Sequence, residues 1–207
     1  MKEVSRRERG LPQGIIQKLL KIAEEEKNII SLGPGEPDFE TPKPILDKAC
    51  SIIRNHKKNR VTHYAATQGL PELRSEILKK LKKKNNINAK DNEILVTTGS
   101  QSALFSGFLS ILDPKEEVIL PNPGYMAYVP GVNLVSGKPV FAKCSERNEF
   151  CMHHHEIAKK VTKKTRAIVL NTPSNPAGAV LGKKYMEEIA DIAVDKDLYV
   201  FCDEAYE

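Results

Sequence analysis

The pattern of apolar and polar positions changes near residue 90 of this chain. From there onward, short apolar runs alternate with longer segments whose apolar residues recur at helical spacing. Apolar runs without polar alternation predict strands covered on both faces, and strands that alternate with helices predict βαβ units. The predicted strands are EILVTT, EEVILP, KPVFAKC, RAIVLN and LYVFC, and the predicted helices are QSALFSGFLSIL, GYMAYVPGVNLVSG with an interruption at Pro130, HEIAKKVTKK and KKYMEEIADIAVDKD. The pattern therefore predicts an α/β fold with a mainly parallel sheet and helices on both faces.

The first 90 residues follow a different pattern. An amphipathic helix and a short strand are predicted for IIQKLLKIAEEEKNIISLG, and the prolines and glycines of PGEPDFETPKP predict a loop or a domain joint. Two further helices, PILDKACSIIRN and PELRSEILKKLKKK, enclose the polar loop VTHYAATQG. This part of the chain therefore precedes the predicted sheet and is organised separately from it.

Composition narrows the class of protein. The chain has 207 residues, of which 40% are hydrophobic and 29% charged, as in globular proteins of one domain, or of one domain and a piece of another. Its apolar runs are far shorter than the roughly 20 residues of a membrane span, and the charged N-terminus MKEVSRRERGLPQG lacks a secretory apolar core. Its four cysteines show no paired spacing. We therefore expect a cytoplasmic protein with reduced thiols.

Two features suggest other partners, but each has a simpler interpretation. The segment CSERNEFCMHHHEI holds two cysteines and three histidines, yet consecutive side chains do not face one ion and the spacing fits no familiar zinc pattern. The net charge of +5 is concentrated in KKLKKK and KKVTKK, which are predicted to be the outer faces of helices. We therefore expect neither a metal site nor a nucleic-acid-binding surface.

Polar and flexible residues follow several of the predicted strands. Gly99 ends a strand and is followed by Ser100 and Gln101, which open a helix whose N-terminal N–H groups favour a phosphate or carboxylate. Asn175 lies in the bent loop NTPSNPAGAV, and its amide is free to face a cleft because Pro176 keeps it out of helical geometry. Taken alone, each group has a simpler interpretation: Ser100 is a helix cap, and Asn171 and Asn175 form a turn in which they satisfy backbone groups.

Two more strand ends carry groups with chemical potential. Tyr125 follows a Pro-Gly corner and offers a flat ring, although packing in the core is the commoner role for such a tyrosine. Asp203 follows the last apolar run, where a turn or a helix cap is the alternative to catalysis. Ligands of α/β proteins bind at the carboxyl ends of strands, so these groups together favour one site.

The combined set suits a planar cationic heterocycle that carries a phosphate, and pyridoxal phosphate has that shape. Its ring nitrogen must stay protonated to draw electrons from a substrate carbanion, and an adjacent carboxylate keeps it so. Asp203 is the candidate carboxylate, and Tyr206 is placed to donate to the phenolic oxygen of the ring.

The chain resembles the N-terminal half of fold type I pyridoxal-phosphate aminotransferases, in the branch similar to prokaryotic aspartate aminotransferases. The resemblance rests on six motifs in the family's order, SLGPGEPDFETP, THYAATQGLPELR, VTTGSQSAL, PNPGYMAY, NTPSNPAGAV and FCDEAYE. It implies an N-terminal arm with part of a small domain at residues 1–45 and an incomplete large cofactor-binding domain at 46–207. It also implies cis peptide bonds at Asn122-Pro123 and Asn175-Pro176.

The resemblance implies a role for each site residue. Gly99, Ser100 and Gln101 would hold the phosphate, Tyr125 would stack on the ring, Asn175 would bond the ring oxygen and the substrate, Asp203 would pair with the ring nitrogen, and Tyr206 would bond the ring oxygen. Asp203 and Tyr206 are the catalytic residues among these. Gly35 would approach the substrate carboxylate, and Tyr64 would reach the phosphate of the other subunit in a homodimer with shared active sites.

The implied function is transfer of an amino group between an amino acid and a 2-oxo acid, with the amino acid left open. The family's Schiff-base lysine follows the Asp/Tyr pair, so the resemblance implies a fragment without that lysine, and we expect the 207-residue chain alone to be inactive. Two alternatives remain at this point. One is another fold type I enzyme, either a carbon–sulfur lyase or a cyclopropane-forming synthase, and the other is a non-catalytic binding or regulatory module with the same sheet.

Overall fold

A computed structural model describes residues 3–9, 22, 25, 26, 28, 30, 35 and 37–207. The chain forms two compact units: Met1–Pro12 with Thr98–Glu207, and Gln13–Thr97. The helix and strand predicted for IIQKLLKIAEEEKNIISLG fall mostly outside the described residues. Within the described part of the chain, no helix has the length and apolar character needed to cross a bilayer.

The larger unit is built on four parallel strands, as the alternation of strands and helices predicts. The strands are β1 (Glu117–Asn122), β2 (Lys138–Lys143), β3 (Thr165–Asn171) and β4 (Tyr199–Asp203), and their order in the sheet is β2-β1-β3-β4. Every pairing is parallel, with a register shift between β1 and β3 at Glu117/Val118. All four carboxyl ends therefore lie along one edge of the sheet.

Helices connect the strands and cover both faces of the sheet. The helices of this unit are α1 (Arg6–Arg9), α5 (Ser100–Ile111), α6 (Tyr128–Leu134), α7 (His154–Ala158) and α8 (Lys183–Asp195), and those of the other unit are α2 (Lys43–Arg54), α3 (His56–Asn59) and α4 (Pro71–Lys84). Short 3-10 helices span Asp91–Glu93 and Glu146–Asn148.

Successive residues of the central strands enter two different cores. Val118 and Leu120 of β1 pack with Phe108 of α5 and Val132 of α6 on one face. Ile119, between them, packs on the other face in a second cluster that includes residues of α7 and α8. Because side chains alternate along a strand, an uninterrupted apolar run fills both cores at once, and this confirms the predicted burial of β1 and β3 on both faces.

The predicted strand at EILVTT is wrong. Residues 94–97 form no strand, and the Val96 N–H donates to the Gln68 carbonyl at 3.0 Å. Gly69 lies against Val96, so close that a Cβ built on this glycine would lie 2.7 Å from that side chain. A contact with a distant loop therefore takes the place of pairing in the sheet.

Three further predictions differ from the structure. The helix at GYMAYVPGVNLVSG begins only at Tyr128 and includes Pro130 in its first turn, where a missing N–H costs no intrahelical bond. The helix at HEIAKKVTKK ends at Ala158, and a turn in which the Thr165 N–H donates to the Thr162 carbonyl precedes β3. The strand β4 is not covered on both faces, since Tyr199 is 54% and Val200 40% exposed.

Candidate functional site

The carboxyl ends of β3 and β4 are held side by side. Asn171 ends β3, Asp203 ends β4, and the two residues are partners in the parallel ladder. The Asn171 side chain donates to the Asp203 carbonyl at 3.1 Å and to the Pro173 carbonyl at 3.3 Å. Asn171 is buried, so these bonds also satisfy a polar side chain that would otherwise be costly to desolvate.

Asn171 also fixes the loop that carries Asn175. Its side-chain oxygen accepts the Asn175 backbone N–H at 2.6 Å. The Asn175 side chain donates in turn to the Tyr206 hydroxyl at 3.2 Å. Asn175 and Tyr206, which the sequence predicts for the same ring oxygen, therefore lie within hydrogen-bonding distance of each other.

Asp203 is held from the other side by a buried tyrosine. The Tyr128 hydroxyl donates to the Asp203 carboxylate Oδ2 at 2.7 Å, and Tyr128 is only 1% exposed. Burial, together with the bond to Asp203, raises the pKa of Tyr128 far above its usual value. The phenol therefore stays protonated and remains a donor throughout the physiological pH range.

Tyr125 and Gln101 continue this set of contacts. The Tyr125 and Tyr128 rings meet edge to face, with centroids 5.5 Å apart and planes at 84°. The Gln101 amide nitrogen lies 3.5 Å from the Tyr125 hydroxyl, which is the outer limit of a hydrogen bond. Contacts thus run from the first turn of α5 through two tyrosines to the end of β4.

Gly99 gives α5 its open N-terminus. Its backbone lies at φ 84° and ψ 165°, a region populated almost solely by glycine. A Cβ built at Gly99 would meet nothing within 4 Å, so open space lies in front of the helix. Ser100 and Gln101, both exposed, follow at the first turn. The junction supplies helix N–H groups and hydroxyls at an accessible place.

The structure thus brings together Gln101, Tyr125, Asn175, Asp203 and Tyr206 in one network, with Gly99 and Ser100 next to Gln101. Asn122-Pro123 and Asn175-Pro176 are cis, which confirms both predictions, and Thr172-Pro173, which was not predicted, is also cis. Gly35 and Tyr64 belong to the other unit, where both are exposed. Their predicted roles, and those of the network residues in binding, stay predictions.

Sequence reasoning missed two members of the network. Tyr128 lies in the motif PNPGYMAY but has no predicted role. It follows Tyr125 by three residues and is the first residue of α6. For Asn171 the sequence predicts no role beyond that of a turn residue. A signal for Asn171 was its place as the last residue of an apolar strand, directly across from Asp203 in a parallel sheet.

Comparison with known proteins gives the family. The sequence matches the family model for aminotransferase class I and II over residues 27–207. It is 48% identical to an aspartate aminotransferase of Pyrococcus abyssi and 44% identical to aromatic-amino-acid aminotransferase 2 of Thermococcus litoralis, each over 93% of this chain and 49% of the relative. The solved aspartate aminotransferase of Thermus thermophilus with maleate matches 100% of this chain and 54% of its own, with a TM-score of 0.92 at 33% identity.

The chain spans about half the length of the curated relatives it matches. The matched residues include all four strands and every strand end that contributes to the network. The chain therefore belongs to the aminotransferase class I and II family.

Proposed function

We propose that this chain provides the cofactor-binding part of a pyridoxal-phosphate-dependent aminotransferase. The observation that carries the proposal is the Asp203 carboxylate at the end of β4, oriented by Tyr128 and linked through Tyr125 to the glycine-led start of α5. A carboxylate at one end and anion donors at the other match the protonated ring nitrogen and the phosphate of this cofactor.

The phosphate end of the site fits its proposed ligand. The open space in front of Gly99 leaves room for an anion, and a side chain at this position would intrude into that space. The helix α5 has 12 residues, which is long enough to give its N-terminus a favourable field for negative charge. Ser100 and Gln101 add a hydroxyl and an amide to the backbone donors there.

The ring end fits as well. Asp203 is partly buried, and its Oδ1 accepts only a long bond of 3.3 Å from the Ala205 N–H among its described contacts. A carboxylate oxygen has two acceptor positions, so Oδ1 retains capacity for the N–H of a protonated ring. The amide of Asn175 and the hydroxyl of Tyr206 offer donors to a ring oxygen.

The cofactor, when bound, supplies an electron sink for transfer of an amino group between an amino acid and a 2-oxo acid. In our proposal Asp203 keeps the ring nitrogen protonated, Tyr125 covers one face of the ring, and Asn175 and Tyr206 orient the ring oxygen. Gly99, Ser100 and Gln101 hold the phosphate, while Gly35 allows the substrate carboxylate to approach the backbone. The names of the relatives include aspartate and aromatic aminotransferases, so the proposed substrates are amino acids and 2-oxo acids as classes.

The proposed assembly is a cytoplasmic homodimer in which Tyr64 reaches the phosphate of the partner subunit. Tyr64 lies in a loop and its side chain is fully exposed within the single chain, so it is available for a contact outside that chain. In a twofold dimer, each of the two clefts would receive the tyrosine of the other subunit.

Cofactor binding tests the proposed function directly. The purified chain is titrated with pyridoxamine 5′-phosphate while the fluorescence of the ligand is followed, and inorganic phosphate is then added as a competitor. We expect saturable binding that phosphate weakens and that the Asp203→Asn variant loses to a large extent. Absence of saturable binding, or equal binding by this variant, would contradict the proposal.

A further inference from the structure

We infer that Tyr128 is a positioning residue that orients both the carboxylate and the stacking ring of the cofactor site. The inference rests on the proposed function and adds to it a residue that contacts no ligand itself. Tyr128 acts through two neighbours: its hydroxyl holds Asp203, and its ring supports Tyr125.

The hydroxyl of Tyr128 restricts how the Asp203 carboxylate can turn. An aspartate at the end of a strand has rotational freedom about its side-chain bonds, and Asp203 is only partly buried. The 2.7 Å bond from Tyr128 engages Oδ2, so Oδ1 becomes the oxygen that is available to a ligand. Because the donor is fully buried and stays protonated, this orientation exists before any ligand arrives.

The ring of Tyr128 restricts the position of Tyr125 in the same way. Tyr128 is packed into the core formed by α5, α6 and the central strands, whereas Tyr125 is only partly buried at its margin. The edge-to-face contact at 5.5 Å couples the partly buried ring to the fully buried one. One rigid side chain therefore sets the relative placement of a carboxylate and a flat ring, which come from segments 78 residues apart (203 − 125).

The two contacts are chemically separable, which gives the inference a specific test. Tyr128→Phe removes the hydroxyl and keeps the ring. Its effect should appear only with a ligand whose ring nitrogen meets Asp203. The variant is titrated with pyridoxamine 5′-phosphate and, separately, with benzyl phosphate, which has a phosphate and a flat ring but no ring nitrogen.

We expect Tyr128→Phe to weaken binding of pyridoxamine 5′-phosphate about tenfold, the usual scale for a hydrogen bond to a charged group. Binding of benzyl phosphate should change less than about twofold, because the backbone donors of α5 and the ring contact are intact. Tyr199→Phe serves as the matched control, since Tyr199 is an exposed tyrosine on β4, and it should leave both affinities unchanged.

A double-substitution cycle separates positioning from general loss of structure. In an Asp203→Ala background the hydroxyl has no carboxylate to orient, so adding Tyr128→Phe should weaken pyridoxamine 5′-phosphate binding less than about twofold further. If Tyr128→Phe does not fold, as judged by circular dichroism, Tyr128→Met replaces it, because methionine fills an apolar site without a donor.

Each outcome either supports or overturns the inference. Selective loss of pyridoxamine 5′-phosphate affinity that disappears in the Asp203→Ala background supports it. Equal loss for both ligands, an undiminished effect in the Asp203→Ala background, or no loss at all overturns it while the proposed function stands. If the unaltered chain binds benzyl phosphate but shows no preference for pyridoxamine 5′-phosphate, or binds neither, the proposed function fails and the inference fails with it.

Discussion

Asn171 and Asp203 are ladder partners at the ends of β3 and β4, and the Asn171 side chain also bonds the Asp203 carbonyl at 3.1 Å. The same carbonyl accepts the Thr172 backbone N–H at 3.2 Å, so the side-chain bond reinforces the backbone pairing at the end of the sheet. Since Asn171 also accepts the Asn175 N–H, the two groups proposed to contact opposite parts of one ring are set at a fixed spacing by the sheet itself.

The carboxylate of Asp203 should dominate binding at the ring end. We expect Asp203→Asn to weaken pyridoxamine 5′-phosphate binding roughly 10- to 100-fold, because a bond to an ionised partner becomes a neutral one. Isothermal titration calorimetry measures this change. Asp195→Asn is the matched control, because Asp195 ends α8 and its described contact is a surface ion pair with Lys196. A similar loss in the control would point to a general effect of charge.

The backbone at Gly99 should resist substitution. Gly99→Ala forces a side chain into φ 84° and ψ 165°, which costs roughly 1–3 kcal/mol in the free energy of unfolding. Space is not the cause, since a Cβ there meets nothing within 4 Å. Gly182→Ala is the control: Gly182 also precedes a helix but has φ −67°, so its change should stay within about 0.5 kcal/mol. Urea denaturation followed by circular dichroism distinguishes the two.

Glu117 should make stability depend on acid pH. The hydrogen bond from Thr162 and the contact with Lys138 lower the pKa of Glu117 below its usual value of 4.5, against the opposing effect of burial. Because the pKa of Glu117 is lower in the folded than in the unfolded state, its charged carboxylate stabilises the fold above about pH 4.5. This stabilisation is lost as the pH falls through the folded-state pKa. Glu117→Gln should therefore reduce stability by about 1–3 kcal/mol at pH 7 and flatten the acid limb of the stability curve.

The control for Glu117 is an exposed glutamate. Glu187 on α8 forms a 3.7 Å surface pair with Lys183, so Glu187→Gln should change stability by less than about 0.5 kcal/mol at any pH. Chemical denaturation between pH 3 and 7 provides the curves. An unchanged acid limb in Glu117→Gln would show that other groups control acid unfolding.

Tyr64 should act across a dimer interface. Tyr64→Ala should leave folding intact, because the side chain is fully exposed in the single chain, yet it should weaken cofactor binding in the dimer. A mixture of Tyr64→Ala and Asp203→Asn chains tests sharing of sites: after exchange of subunits, about one quarter of all sites should regain full affinity. Failure to regain any would contradict a shared site.

Lysine labelling addresses the covalent link to the cofactor. The resemblance implies that this lysine follows the Asp203/Tyr206 pair. Within the chain, Lys79 and Lys159 are engaged in surface ion pairs with Glu76 and Glu156. After incubation with pyridoxal phosphate and reduction with borohydride, peptide mapping should therefore find no stoichiometrically labelled lysine within residues 1–207. One fully labelled lysine, together with transamination, would contradict this.

The sequence predicts the central sheet well, because burial on both faces leaves an uninterrupted apolar run in β1 at 118–120 and in β3 at 167–170. It fails where a distant partner decides the outcome. Residues 94–97 are as apolar as a strand, but Gln68 and Gly69 supply a partner that no local pattern encodes. The case of α7 is different, because no distant partner is involved: apolar spacing continues past Ala158, but the helix ends there and a local turn between Thr162 and Thr165 precedes β3.

The candidate site likewise contains residues that the sequence identifies and residues that it does not. Gly99, Asn175 and Asp203 follow strands or open helices, so residue type and position are enough to single them out. Tyr128 is different, because its significance lies in one bond to a residue 75 positions away. The sequence around Tyr128 is typical of an ordinary core tyrosine, and Tyr128 does pack in the core.

The edge position of β4 has a consequence for the timescales of motion in the site. Among the described strands β4 pairs with β3 alone, and most of its residues are exposed, whereas α5 and α6 pack into the central core. Local opening in proteins begins where few buried contacts oppose it, so in the 207-residue chain by itself β4 should separate from its neighbour far more often than α5 frays. Asp203 and Tyr206 would leave with it, while the donors beside Gly99 stay in place. A ligand held at both ends of the site therefore joins a region that opens rarely, the start of α5, to one that opens often, the end of β4. Its residence time is governed by the region that opens more often.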